Sequence, residues 1–225
     1  MHVIRKYGNK YINLDITSAT GILRAKSLKL VSSGKVGVVV SPTFYETADI
    51  FTARNRGILF SIFRHPIERS VEMFHHLQTD INDRFYQPEF ANMTLEDYAS
   101  KGFAENNYLT RFLSRKLGGA IRSEDVTVAK EIIRKKCVVG LYSEFEKSVY
   151  YFERYFGWNR NNDNVRRQKC IEQLVNKVNN NTQPSIKEGS REWNLLARQN
   201  IYDLELYEYI TSLFSQIPAL NQSSF

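Results

Sequence analysis

The run Leu59-Phe-Ser-Ile-Phe-Arg64-His-Pro-Ile-Glu-Arg69-Ser-Val-Glu72-Met-Phe constrains this chain more than any other stretch. An apolar, aromatic-rich segment ends at an arginine, and a proline two residues on opens an amphipathic segment. This is the pattern of a buried strand running into a helix with Pro66 at its first position. Proline suits that place because its φ is already helical and its missing N–H would have had no partner there. In open α/β sheets, ligands bind beyond the carboxyl ends of strands, and an arginine beside a helix N-terminus suits an anion, most often a phosphate. A plain strand-to-helix turn with a solvated arginine has the same sequence signature, so both readings stand at this point.

The rest of the chain follows the same alternation. Short apolar runs at Tyr11 to Ile16, Val36 to Val40, Gly57 to Phe63 and Cys137 to Leu141 are strand candidates. Their β-branched and aromatic content suits strands buried on both faces. Longer periodic segments lie between them, so the expected fold class is α/β, a mainly parallel sheet flanked by helices. Thr94 and Ser123 each precede acidic residues as hydroxyl caps, and Ser143-Glu-Phe-Glu146 reads as a capping box. Phe145, Val149, Phe152 and Phe156 then repeat at helical spacing until Gly157 stops the helix and Trp158 packs beyond it. One long helix is expected from near Ser190 to about Ser215. The polar stretches Asn159 to Asn164 and Asn176 to Gln183 read as loops or insertions. Asp203 is expected to be a buried polar anchor.

With 225 residues, 42% of them hydrophobic, the chain can bury a substantial core, and a single domain over 1–225 is the expectation. The net charge of +7 suits an anionic partner. The cations are scattered in short groups such as Arg134-Lys-Lys136 and Arg166-Arg167-Gln-Lys169, with no nucleic-acid-binding motif beside them, so nucleic acid is not an expected partner. Two cysteines, Cys137 and Cys170, are too few for a disulfide framework or a zinc site. Met1 to Tyr7 has no long apolar stretch, so neither a signal peptide nor a membrane segment is expected in this chain. Sequons at Asn92, Asn180 and Asn221 matter only in a secretory setting.

The pattern Arg64-x-Pro66-x-x-Arg69 after a hydrophobic strand resembles the 3′-phosphate-binding segment of sulfotransferases that use PAPS, especially the Golgi carbohydrate type. Three further segments are similar to that family in order: Glu105-Asn-Asn107-Tyr-Leu-Thr-Arg111, Val139-Gly-Leu-Tyr-Ser-Glu144 through Phe156-Gly-Trp158, and Asn200-Ile-Tyr-Asp203-Leu-Glu-Leu206-Tyr207. The resemblance implies a P-loop-like sulfotransferase fold, PAPS or its product PAP as cofactor, and transfer of a sulfuryl group to a hydroxyl or amine of a glycan or related acceptor. It implies a Golgi-lumen setting if an upstream anchor exists. It assigns Arg64 to the 3′-phosphate, and Asn107 and Arg111 to either the acceptor pocket or structural hydrogen bonds.

Several departures from the family bear on activity. Where the family has its phosphate-binding serine this chain has Glu72, and the nearby Ser70 points about 200° away around the helix. Glu72 has three open roles: weakening nucleotide binding, pairing with Arg64 or Arg69, or facing solvent. The 5′-phosphosulfate loop is absent, so the fold is expected to be N-terminally truncated. In its place Thr17, Ser18, Thr20 and Gly21 read as a capped helix start. No histidine stands where the family's base usually lies, which leaves Glu46 or Asp49, and the catalytic residue unknown. His65 is expected to cap its helix, and the His75-His76 pair to pack rather than bind metal. The alternative function is a non-catalytic module of the same fold that binds an acidic glycan or a protein partner.

Overall fold

A computed structural model of the chain describes residues 3–6, 9–158, 164–179 and 186–217. It divides into two compact units, Met1–Ile58 and Leu59–Phe225.

In the first unit, β1 (Val3–Lys6) and β2 (Asn9–Ile12) pair antiparallel, with Val3 opposite Ile12. The expected strand from Tyr11 to Ile16 does not extend past Ile12. Asp15 ends it by accepting hydrogen bonds from the Thr17 N–H at 2.9 Å and its hydroxyl at 2.6 Å, a local turn that competes with a ladder. Ser18 caps α1 (Ala19–Ser27) through the Gly21 N–H. A Cβ on Gly21 would lie 1.5 Å from the Asp15 carbonyl oxygen, so only glycine admits this turn. Val36 to Val40, also expected as a strand, pairs with no other strand among the described residues. Val36 and Val39 instead pack on a small cluster of Ile16, Ile22, Ala25, Leu30 and Ile50, while Val40 is 82% exposed. A one-turn helix, α2 (Phe44–Ala48), follows.

The second unit is α/β, with one two-stranded parallel sheet among its described residues. β3 (Leu59–Phe63) pairs with β4 (Cys137–Leu141), Leu59 opposite Cys137 and Phe63 opposite Leu141. The helices are α3 (Pro66–Thr79), α4 (Leu95–Ser100), α5 (Tyr108–Ser114), α6 (Ser123–Lys136), α7 (Phe145–Phe156), α8 (Asn164–Asn179), α9 (Arg191–Gln199) and α10 (Ile201–Ser215). Alternation along the strands sorts side chains onto two faces. Phe63, Val139 and Leu141 join Leu113 of α5, Ile133 of α6 and Leu206 of α10 in one core. The Phe60 ring lies 5.4 Å from Phe152 and 5.2 Å from Phe156 on α7, which covers the other face. A second core joins α3, α4 and α9 through Ile67, Phe74, Tyr98 and Leu196.

Local signals hold where a cap reaches only two or three residues along the chain. Pro66 occupies the first turn of α3, and His65 caps it, its Nδ1 accepting from the Ile67 N–H at 3.3 Å. Thr94 and Ser190 cap α4 and α9, and Gly157 ends α7 at φ +66°. Four expectations need correction. Arg122 rather than Ser123 precedes α6, and its N–H is taken by Asp125 Oδ2 at 2.8 Å. Glu144 rather than Ser143 precedes α7, and its carbonyl accepts the first helical bond from the Ser148 N–H at 2.9 Å. The long terminal helix breaks at Asn200, whose side chain is drawn into contacts with Asn107 and Leu196. Asn176–Asn179 belong to α8, which is anchored by buried Ile171 and by a two-bond pairing of Arg167 with Glu153. The stretch 159–163 and residues 180–185, with the sequons at Asn180 and Asn221, lie outside the described residues.

Candidate functional site

The ends of β3 and β4 are adjacent because the strands are parallel and in register. The residues that leave them, Arg64 and Tyr142, therefore meet: the Tyr142 N–H donates to the Phe63 carbonyl at 2.8 Å, and the Arg64 guanidinium lies 4.4 Å above the Tyr142 ring. The arginine side chain is 16% exposed. One of its terminal nitrogens donates to Glu72, and its Nε lies 3.6 Å from the Glu68 carboxylate. Nε is buried and makes no hydrogen bond. Glu72 sits two helical turns beyond Arg64, so the geometry of α3 itself delivers the carboxylate to the guanidinium.

His65 contributes a second feature. Its Nδ1 is occupied as the helix cap, which leaves the proton of the neutral ring on Nε2. The ring stands edge-on to Tyr207 of α10 at 5.3 Å, and burial lowers the imidazole pKa. Burial raises that of the Tyr207 phenol. Arginine, imidazole and two tyrosine rings thus come to one corner from three elements.

The other expected site residues are placed differently. Ser70 is 3% exposed, and its hydroxyl donates to the Pro66 carbonyl of its own helix at 3.0 Å. Arg69 pairs with Glu105 and lies 4.1 Å over the Tyr108 ring. Asn107, 4% exposed, spends its side-chain oxygen on the N–H groups of Tyr202 and Asp203, and its amide on the Gln199 carbonyl. Arg111 donates to the carbonyls of Asn106, Lys116 and Gly119, a clasp on the loop after α5. Glu46 and Asp49 are exposed. His75 contacts Gln78, and His76 contacts Asp83. Among the described residues, no cluster of His, Cys, Asp or Glu is arranged to hold a metal ion. No helix there is long and apolar enough to cross a membrane.

No protein-family model matches the chain, and neither a curated protein nor a solved structure matches it.

The donor set at the corner does not fit a nucleotide 3′-phosphate as it stands. Arg64 is already engaged by a carboxylate, Glu68 adds a second negative charge, and the Ser70 hydroxyl is turned inward. A phosphate here would meet net negative charge, at a cost of several kcal/mol for contact-distance like charges at an effective dielectric of about 20. Tyr142 and Tyr207 lie within the segments that carry the resemblance, which gives neither a role at the site. Tyr142 could have been found, because the residue following one in-register parallel strand must neighbour the residue following the other.

Proposed function

We propose that this chain is a sulfotransferase-like α/β module that binds an acidic glycan and does not itself transfer sulfuryl groups from PAPS. The observation that carries this reading is Glu72 on Arg64: the arginine that the resemblance assigns to the nucleotide is satisfied by the helix that follows it. Its stacking on Tyr142 gives it a second structural use, joining β4 to β3 where the strands end. The net charge of +7 supports an anionic partner.

A second reading, PAPS-dependent sulfuryl transfer to a glycan hydroxyl or amine in the Golgi lumen, draws on one observation. Arg64 stands at the carboxyl end of a parallel strand, just before a 14-residue helix, and its buried Nε lacks a hydrogen-bond partner.

Thermal denaturation with saturating PAP separates the two. A ligand at about 100 times its Kd adds roughly 2.7 kcal/mol, or about 5–10 °C in Tm for a domain of this size. The module reading expects no rise for the natural chain, and a rise of that order for Glu72→Ser that disappears when Arg64→Ala is added. A rise in the natural chain that Arg64→Ala abolishes would replace it with the transferase reading.

A further inference from the structure

We propose that β3 presents its free edge to β3 of a second copy of this chain, joining two parallel pairs across a two-fold axis into one four-stranded sheet. The bond from the Tyr142 N–H to the Phe63 carbonyl sets the phase of the ladder. In a parallel pair, alternate residues turn both backbone groups to the partner, so Leu59, Ser61 and Phe63 face β4, and Phe60 and Ile62 face away. The opposite edge of the sheet is closed at its end. Leu141, which faces away from β3, donates its N–H to the Ser148 hydroxyl at 2.8 Å and accepts from that hydroxyl at 3.0 Å. Nothing equivalent meets Phe60 or Ile62: among the described residues their backbone groups make no hydrogen bond, and both residues are only half-buried.

Alternating free N–H and C=O groups on an extended strand call for another extended backbone. Edge strands that avoid such pairing carry a charge, a proline or a bulge. Leu59-Phe-Ser-Ile-Phe63 has none of these, and its ladder with β4 is regular.

The same five residues select their own copy. A two-fold axis through Ser61 sets Phe60 against Ile62 of the second copy, and Ile62 against Phe60. The outward-facing backbone groups then exchange four hydrogen bonds. The facing side chains form two aromatic–β-branched pairs, the favourable cross-strand combination. At the axis two small serines meet, and Leu59 falls opposite Phe63. The Trp158 ring, 42% exposed and 5.4 Å from Phe60, extends the apolar surface beside this edge. Glu72 already neutralises Arg64 at the strand end, so the two copies do not oppose bare cations there.

Sedimentation and amide hydrogen exchange over a concentration series test this. The expected result is a species of twice 26.3 kDa that dissociates on dilution. The Phe60 and Ile62 amides should gain protection as it forms, while those of Ser61 and Phe63 stay protected throughout. Ile62→Pro removes a donor that the β4 ladder does not use, and should leave a folded monomer. A monomer at every concentration overturns the proposal. So does protection of Phe60 and Ile62 that is unchanged by dilution, which would mean that another segment covers the edge. A dimer that forms without altering those two amides overturns it as well. The exchange series decides alone if Ile62→Pro does not fold.

Discussion

Asn107 and Asp203 hold each other's helices. Asp203 accepts from the N–H groups of Leu109 and Thr110 at 2.8 and 2.7 Å, at the start of α5. Asn107 accepts from those of Tyr202 and Asp203 at 2.9 and 3.1 Å, at the start of α10. Each side chain satisfies amide donors that a first helical turn leaves without partners. Asn107 does this from the left-handed region, at φ +49°, which asparagine tolerates better than most residues.

Asp203→Ala should cost about 2–4 kcal/mol, because two amides at the start of α5, one of them buried, lose their acceptor. That corresponds to about 5–15 °C in Tm. Asn107→Gly keeps the backbone conformation and removes the side chain, so it isolates the hydrogen bonds. Urea unfolding that places Asn107→Gly within about 0.5 kcal/mol of the natural chain would show that the reciprocal caps contribute little.

Gly140 is required by the helix above it. A Cβ there would lie 2.8 Å from Ser148 Cβ and 2.9 Å from the Phe152 ring. Gly140→Ala should destabilise by about 1–3 kcal/mol through overpacking. Ser148→Ala should cost about as much for a different reason, since it strands the buried Leu141 N–H. Chemical denaturation of both variants checks this, and a neutral Ser148→Ala would mean that the strand edge finds another partner.

Stability should fall as pH drops below about 6.5. The pKa of His65 is lowered in the folded state by burial, so the unfolded chain binds the extra proton first. The contribution of the neutral ring is complete above the unfolded value and is lost as pH falls through the folded one. Protonation also converts Nδ1 from acceptor to donor and removes the cap on Ile67. His65→Asn keeps an acceptor and cannot titrate, so its stability should change less between pH 7 and 5. Equal slopes for the two proteins would remove His65 as the cause. The lowered pKa values of Asp15, Asp83 and Asp125 act in the same direction only at more acidic pH.

The two thiols should differ in reactivity. Cys170 is exposed, whereas burial pushes the Cys137 thiol up to about 12. Because the thiolate is the reactive form, Cys137 should react with a disulfide reagent at pH 8 at least about 100-fold more slowly. One fast and one slow equivalent in the folded chain, merging into two fast ones in urea, is the expected trace. Two equal fast phases without denaturant would contradict the burial of Cys137.

The sequence by itself determined the features whose partners lie within one turn or one strand. Apolar runs marked β3 and β4, Pro66 and His65 marked the start of α3, and Gly157 marked the end of α7. The tertiary structure decided everything that depends on distant pairs. Val36 to Val40 is as strand-like as Cys137 to Leu141, but only the latter finds a ladder, because strand pairing is a property of two segments. Asn200 breaks what its own neighbourhood reads as one helix, because the Asn107 N–H, more than ninety positions away, takes up its side-chain oxygen. Glu72 was an open choice between Arg64, Arg69 and water. Once Glu105 takes Arg69, and Arg64 is fixed over Tyr142, the helix leaves Glu72 the guanidinium two turns behind it.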